Sequence, residues 1–249
     1  MPNPTLREEV FNSLDNNTNS FGLEHAMTKT GVLNKTLLLG VLLALSAFYT
    51  WYLVSTGFAD KSRILMNVGI GGGLIAAMVI CFGPKNKFLG ILAPIYALFE
   101  GLFIGGISAI FNAYYPGIVA QAMIGTIFTI LGMYIAYSTK LIQMSGTLRK
   151  TIFIATFAIA GIYILQLILM LFNLSIPQIF SNSLIGIGFS VVVCVIAAFN
   201  LIIDFDLIEH YSGRAPSYME WYGAFSLMVT IVWLYVEILK LLAKLNSRR

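Results

Sequence analysis

Seven long apolar runs, separated by short polar breaks, make up most of the chain. They lie near residues 36–56, 64–82, 88–111, 117–137, 151–172, 184–207 and 222–245. Each is close to the roughly 20 residues that cross a hydrocarbon core about 30 Å thick. The breaks carry turn chemistry: Gly57 with Asp60, Lys61 and Arg63; Gly83-Pro84-Lys85; Tyr115-Pro116-Gly117; Ser145-Gly146; Ile176-Pro177; and Ser212-Gly213 to Ala215-Pro216. The runs predict helices, because in hydrocarbon every backbone polar group has to be bonded within its own segment. The alternating segments that a membrane β-barrel needs do not occur. The pattern therefore predicts an all-α polytopic membrane protein with seven transmembrane helices.

Composition narrows the class further. Of 249 residues, 58% are hydrophobic and 10% charged, whereas a soluble domain is about 25% charged. Such a chain cannot cover a globule with polar surface, which argues against an ordinary soluble enzyme. Charge this sparse also argues against disorder and nucleic-acid binding. Cys81 and Cys194 both fall inside apolar runs and read as small buried fillers. Residues 1–33 form a polar tail, with Arg7, Glu8, Glu9, Asp15 and an Asn-rich stretch from Asn16 to Asn19, ahead of a transmembrane domain over 34–249.

Orientation follows from the basic residues. Arg7, Lys29, Lys35, Lys85, Lys87, Lys140, Arg149, Lys150 and Arg214 fall on the side of the N-terminus. Lys61, Arg63, Lys240, Lys244, Arg248 and Arg249 fall on the other. The excess predicts a cytoplasmic N-terminus. Trp51, Tyr52, Tyr114, Tyr115, Trp221 and Tyr222 lie near the expected interfaces, as anchoring aromatics do.

Two glycine sets stand out: Gly69 to Gly73 in the second run and Gly101 to Gly105 in the third, both with GxxxG spacing. They predict close helix packing. Pro94 predicts a kink in the third run.

The chemistry is in the intramembrane acids. Glu100 lies mid-span in the third run, Asp204 and Asp206 near the end of the sixth, and Glu237 in the seventh. An ionised acid at the bilayer centre costs at least about 2.5–3.5 kcal/mol, so each must pair, protonate or face the interior of the bundle. Glu237 has a structural reading as an i,i+3 partner of Lys240. Asp206 has one as a headgroup-level acid, and Glu100 one as a packing residue bonded to a neighbouring helix. If Asp204 and Glu237 face each other, they share one proton, closing when protonated and taking a hard divalent cation such as Ca²⁺ when not.

These residues carry a family resemblance. Ala93-Pro94-Ile95-Tyr96 through Gly105, Ile196-Ala197-Ala198-Phe199-Asn200 through Asp206, and Leu234-Tyr235-Val236-Glu237-Ile238-Leu239 resemble the Bax inhibitor (transmembrane Bax inhibitor motif) family, in a bacterial branch. The resemblance implies seven helices with the last at the centre of the other six. It also implies a pH-sensitive calcium leak gated by two aspartates, one late in span six and one in span seven. Asp204 fits the first, and Glu237 stands at the second in place of an aspartate.

The expectation is a plasma-membrane protein, not an enzyme and without a cofactor, whose partners are the lipid bilayer, protons and calcium ions. Asp204 and Glu237 would form the gate and a calcium site, Asp206 would assist at the cytoplasmic mouth, and Glu100 would line the route. The alternative is a non-transporting regulator that binds other membrane proteins through its glycine-rich faces. A retinal protein is disfavoured because Lys240 lies near the outer end of its span, among Lys244, Arg248 and Arg249. An intramembrane aspartyl protease is disfavoured because no Gly-x-Gly-Asp run precedes Asp204. His25 and His210 lack ligand spacing for zinc.

Overall fold

A computed structural model gives the structure, which describes residues 26–248 apart from 173, 175 and 176. The polar tail expected over 1–33 thus lies outside the described residues as far as residue 25. Seven long helices follow: α1 (Lys29–Ser55), α2 (Ala59–Phe82), α3 (Leu89–Tyr114), α4 (Ile118–Ser138), α5 (Gly146–Leu171), α6 (Leu184–Tyr211) and α7 (Met219–Asn246). A one-turn helix, Pro177–Phe180, precedes α6. All seven are long and apolar enough to cross a membrane.

The helices outrun the apolar runs wherever a polar group satisfies their ends. The α1 helix starts seven residues before the apolar run does, because Thr28 caps it by accepting from the amide of Gly31. At the start of α5, Ser145 accepts likewise from the amide of Leu148. Asp60 sits in the first turn of α2, where a negative charge suits the exposed amides. At 28 residues each, α6 and α7 extend about 42 Å, beyond the hydrocarbon core. Gly117, at φ +84°, makes the left-handed turn that Tyr115-Pro116-Gly117 predicts.

The chain divides into two compact units. The first holds α1 to α3 with Asp206–Val229. Here α3 packs most extensively on α1 and on α2, and the glycines are the reason. A Cβ on Gly101 would collide with Ser46 and the Leu43 carbonyl, and one on Gly105 with the backbone of Ala47. From α2, a Cβ on Gly69 would lie 2.7 Å from the Phe99 carbonyl. The backbones meet where side chains are missing, as GxxxG spacing predicts. Pro94 lies inside α3, which runs unbroken past it.

The segment before α1 is tied down within the same unit. The Met27 amide donates to the Ala215 carbonyl at 2.7 Å, and the Gly213 amide to the Met27 carbonyl at 2.8 Å. Glu220, at the start of α7 and 6% exposed, accepts from the Thr28 amide and hydroxyl, both at 2.9 Å, and from Lys35. A Cβ on Gly31 would fall on that carboxylate.

The second unit holds Gly117–Phe205 with Thr230–Arg249. Ala122, Ala197, Leu201, Ile202 and Ile203 are buried in it without exposure. Lys244, near the end of α7, spends all three ammonium hydrogens on neutral acceptors: the Ile179 carbonyl (3.0 Å), the Gly186 carbonyl (2.9 Å) and the Ser190 hydroxyl (2.9 Å). This ties the one-turn helix and the start of α6 to α7. Over its apolar window α7 is 56% buried, more than any other span.

Candidate functional site

Asp204 has no solvent exposure. Three fully buried residues, Leu201, Ile202 and Ile203, precede it on α6. Its Oδ2 accepts a 2.6 Å hydrogen bond from the hydroxyl of Thr230 on α7. One turn earlier on α6, Asn200 donates to the Thr156 hydroxyl of α5 at 2.9 Å and to the Ile196 carbonyl at 2.9 Å. Together Asn200 and Asp204 link α6 to both neighbours by hydrogen bonds in an otherwise apolar layer. Such bonds resist separation, because the alternative is an unsatisfied polar group in hydrocarbon.

Glu237 is 2% exposed and has its own partners. Lys240 donates to its Oε1 at 2.6 Å, which is the i,i+3 ion pair that the sequence allows. The Tyr163 hydroxyl of α5 lies 2.9 and 3.0 Å from the two carboxylate oxygens. The Trp233 indole donates at 3.2 Å. Lys240 also donates to the Tyr163 oxygen at 3.1 Å and sits 4.5 Å from that ring's centroid. Phe180 and Phe189 back the ring at 5.9 and 6.4 Å. A buried charge this well paired and hydrogen-bonded is held in place by its partners.

The two acids therefore occupy separate stations. Asp204 is bonded at the level of Thr230, and Glu237 lies seven residues further along α7, about 10 Å at 1.5 Å per residue. At the first, Thr230 of α7 meets Asp204 and Thr156 of α5 meets Asn200 one turn earlier; at the second, Tyr163 of α5 meets Glu237. Along α7 the polar groups recur at Thr230, Glu237 and Lys244, and along α5 at Thr156 and Tyr163. Both series have a seven-residue interval, close to two helical turns, which keeps them on one face. Thr230, Tyr163 and Thr156 were not among the residues singled out from sequence, although this interval was there to be read.

Asp206 lies two positions past Asp204, about 200° around α6. It is half-buried and falls in the other compact unit. Glu100 also belongs to that unit, half-buried on α3, with its carboxyl against Gly73 of α2 and a hydrogen bond to Tyr96 one turn back. Lys240, read from sequence as reaching for the interface, is folded onto Glu237 and keeps 32% of its side chain exposed. Among the described residues no group of three or more His, Cys, Asp or Glu is placed to hold a metal ion.

The order of spans, the buried acids on α6 and α7 and the glycine packing of α3 belong to a chain that the Bax inhibitor 1 like family model matches over residues 3–247. None of the curated proteins matches it. The protein is thus a multi-pass membrane protein that belongs to the Bax inhibitor 1 like family.

Proposed function

We propose that this protein is a pH-sensitive leak or carrier for cations, calcium first among them, in the plasma membrane with its N-terminus in the cytoplasm. The observation that carries the reading is Asp204: an acid without solvent exposure, bonded to Thr230 in the middle of an apolar layer. A carboxyl is an expensive choice for a fully buried position, since leucine or asparagine would pack at lower cost. Its use fits a group that changes charge. With a proton, Asp204 is neutral and holds α6 to α7. Without one it is a buried anion that draws a cation or loosens the contact.

Glu237 is the second station in this reading. Its Lys240 partner neutralises it, so a passing cation has to displace an ammonium before it can use the carboxylate. Asp206, near the headgroup end of α6, is the collecting acid at the cytoplasmic mouth. The regulator reading draws less support. The glycine faces it would offer to partners are filled within the chain, Gly101 and Gly105 by α1 and Gly69 and Gly72 by α3.

The test is Ca²⁺ flux into proteoliposomes between about pH 5 and 8, wild type beside Asp204→Asn and Glu237→Gln. Flux that depends on pH in wild type, and a flattened dependence in Asp204→Asn, is the expected result. Wild type without flux at any pH ends the transport reading.

A further inference from the structure

Glu100 sits at a tightly packed point of its unit, and its neighbours are small or apolar. From α2, Gly73 faces it: a Cβ there would lie 3.2 Å from Oε2. Gly72 of the same helix lies against the Phe99 ring. From α1, Ser46 and Leu43 close on the next residue, Gly101. On α3 itself the hydrogen-bond partner is Tyr96, 5% exposed and edge-on to Phe225 at 4.8 Å. Cys81 is a further titratable group within electrostatic reach of that tyrosine. Among the described residues Glu100 joins none of the ion pairs, in which Lys29, Lys35 and Lys240 are taken by Glu209, Glu220 and Glu237.

An ionised Glu100 would have one neutral donor and no counter-ion, at a cost of at least about 2.5–3.5 kcal/mol. As a carboxylic acid it avoids that cost and still has an acceptor oxygen for the tyrosine. A hard metal ion is not a plausible occupant, since Ca²⁺ takes about six to eight oxygens. The notch offers one carboxyl and one phenol.

We infer that Glu100 is a proton-binding site within the membrane: a carboxylic acid seated in the notch left by Gly73 and bonded to Tyr96. Its ligand is the proton alone. The inference does not rest on the leak reading, because its test needs no ion flux.

Dicyclohexylcarbodiimide partitions into bilayers and reacts with protonated carboxyls. The acid's proton moves to a reagent nitrogen and its oxygen bonds the central carbon. An oxygen-to-nitrogen shift then leaves an N-acylurea, so the whole reagent is added and nothing departs. The full chain in liposomes is treated at mildly alkaline pH and its peptides are mapped by mass. An exposed glutamate is then ionised to all but about one part in a thousand. Glu100 should label at least about tenfold more than Glu209, which is exposed and paired with Lys29. A second measurement does not depend on reagent access: Glu100→Gln should remove a protonated-carboxyl band from the infrared spectrum. Labelling of Glu100, or loss of that band, upholds the site. An unlabelled Glu100 together with an unchanged spectrum overturns it.

Discussion

The hydroxyl of Thr230 donates to Oδ2 of Asp204 at 2.6 Å, so α7 meets the buried acid of α6 with a neutral group. The acid of α7, Glu237, is met by Lys240 and Tyr163 instead. Two carboxylates in one site would repel each other whenever both were ionised. Here one acid is stationed at each level, and each has partners of its own.

Replacing Thr230 tests that arrangement directly. Thr230→Val removes this donor from a buried carboxyl. It should cost about 1–3 kcal/mol, the range for losing a hydrogen bond to a buried acid. Thermal unfolding in detergent reads it, and Asp204→Asn in the same background should recover part of the loss. An unchanged melting temperature in Thr230→Val would remove the bond from the list of stabilising contacts.

Thr230→Asp should build the two-acid latch that the wild-type site lacks. At low pH one shared proton lets the two groups bond. As pH rises both ionise and repel. Stability should therefore fall with rising pH in this variant, more steeply than in wild type. Melting curves at several pH values give the comparison, and parallel curves would mean that the side chains do not meet.

Lys240→Met should destabilise more than Lys240→Met with Glu237→Gln. The single change strands a charge that is 2% exposed, while the double change removes it. Breaking a buried pair costs about 3–5 kcal/mol. Lys240 is about a third exposed, so the single variant belongs at or below the lower end of that range. A double-mutant cycle measures the coupling, and a value near zero would contradict the ion pair's role.

Among the glycines of the spans the sign should depend on position. Gly105→Ala puts a methyl into the Ala47 backbone and should cost about 1–3 kcal/mol. Gly132→Ala, with nothing within 4 Å, should be neutral or slightly stabilising. Equal effects at the two sites would show that backbone contact is not what Gly105 provides.

The seven helices were legible because hydropathy and length fix spans in hydrocarbon without knowledge of the neighbours. Their ends were less so: the apolar run of α1 starts at 36, but Thr28 and Glu220 extend the helix back to Lys29. The acids were legible as costly residues, and Lys240 as a local partner for Glu237. What meets Asp204 was not, because one sequence carries no register between α6 and α7. Thr230 looked like any small polar residue until the helices were laid side by side.

The clasp at Glu220 has a consequence for how the protein is made. Thr28 and Glu220 are 192 positions apart, yet the carboxylate satisfies the amide and hydroxyl at the start of α1. The α1 helix therefore waits for α7, made much later, before its opening turn is complete. Until α7 is inserted, Gly31 faces an empty pocket and Lys35 has no carboxylate from this clasp. The closed start of α1 is a product of late assembly, and a chain truncated before Met219 would insert α1 to α6 without ever closing it.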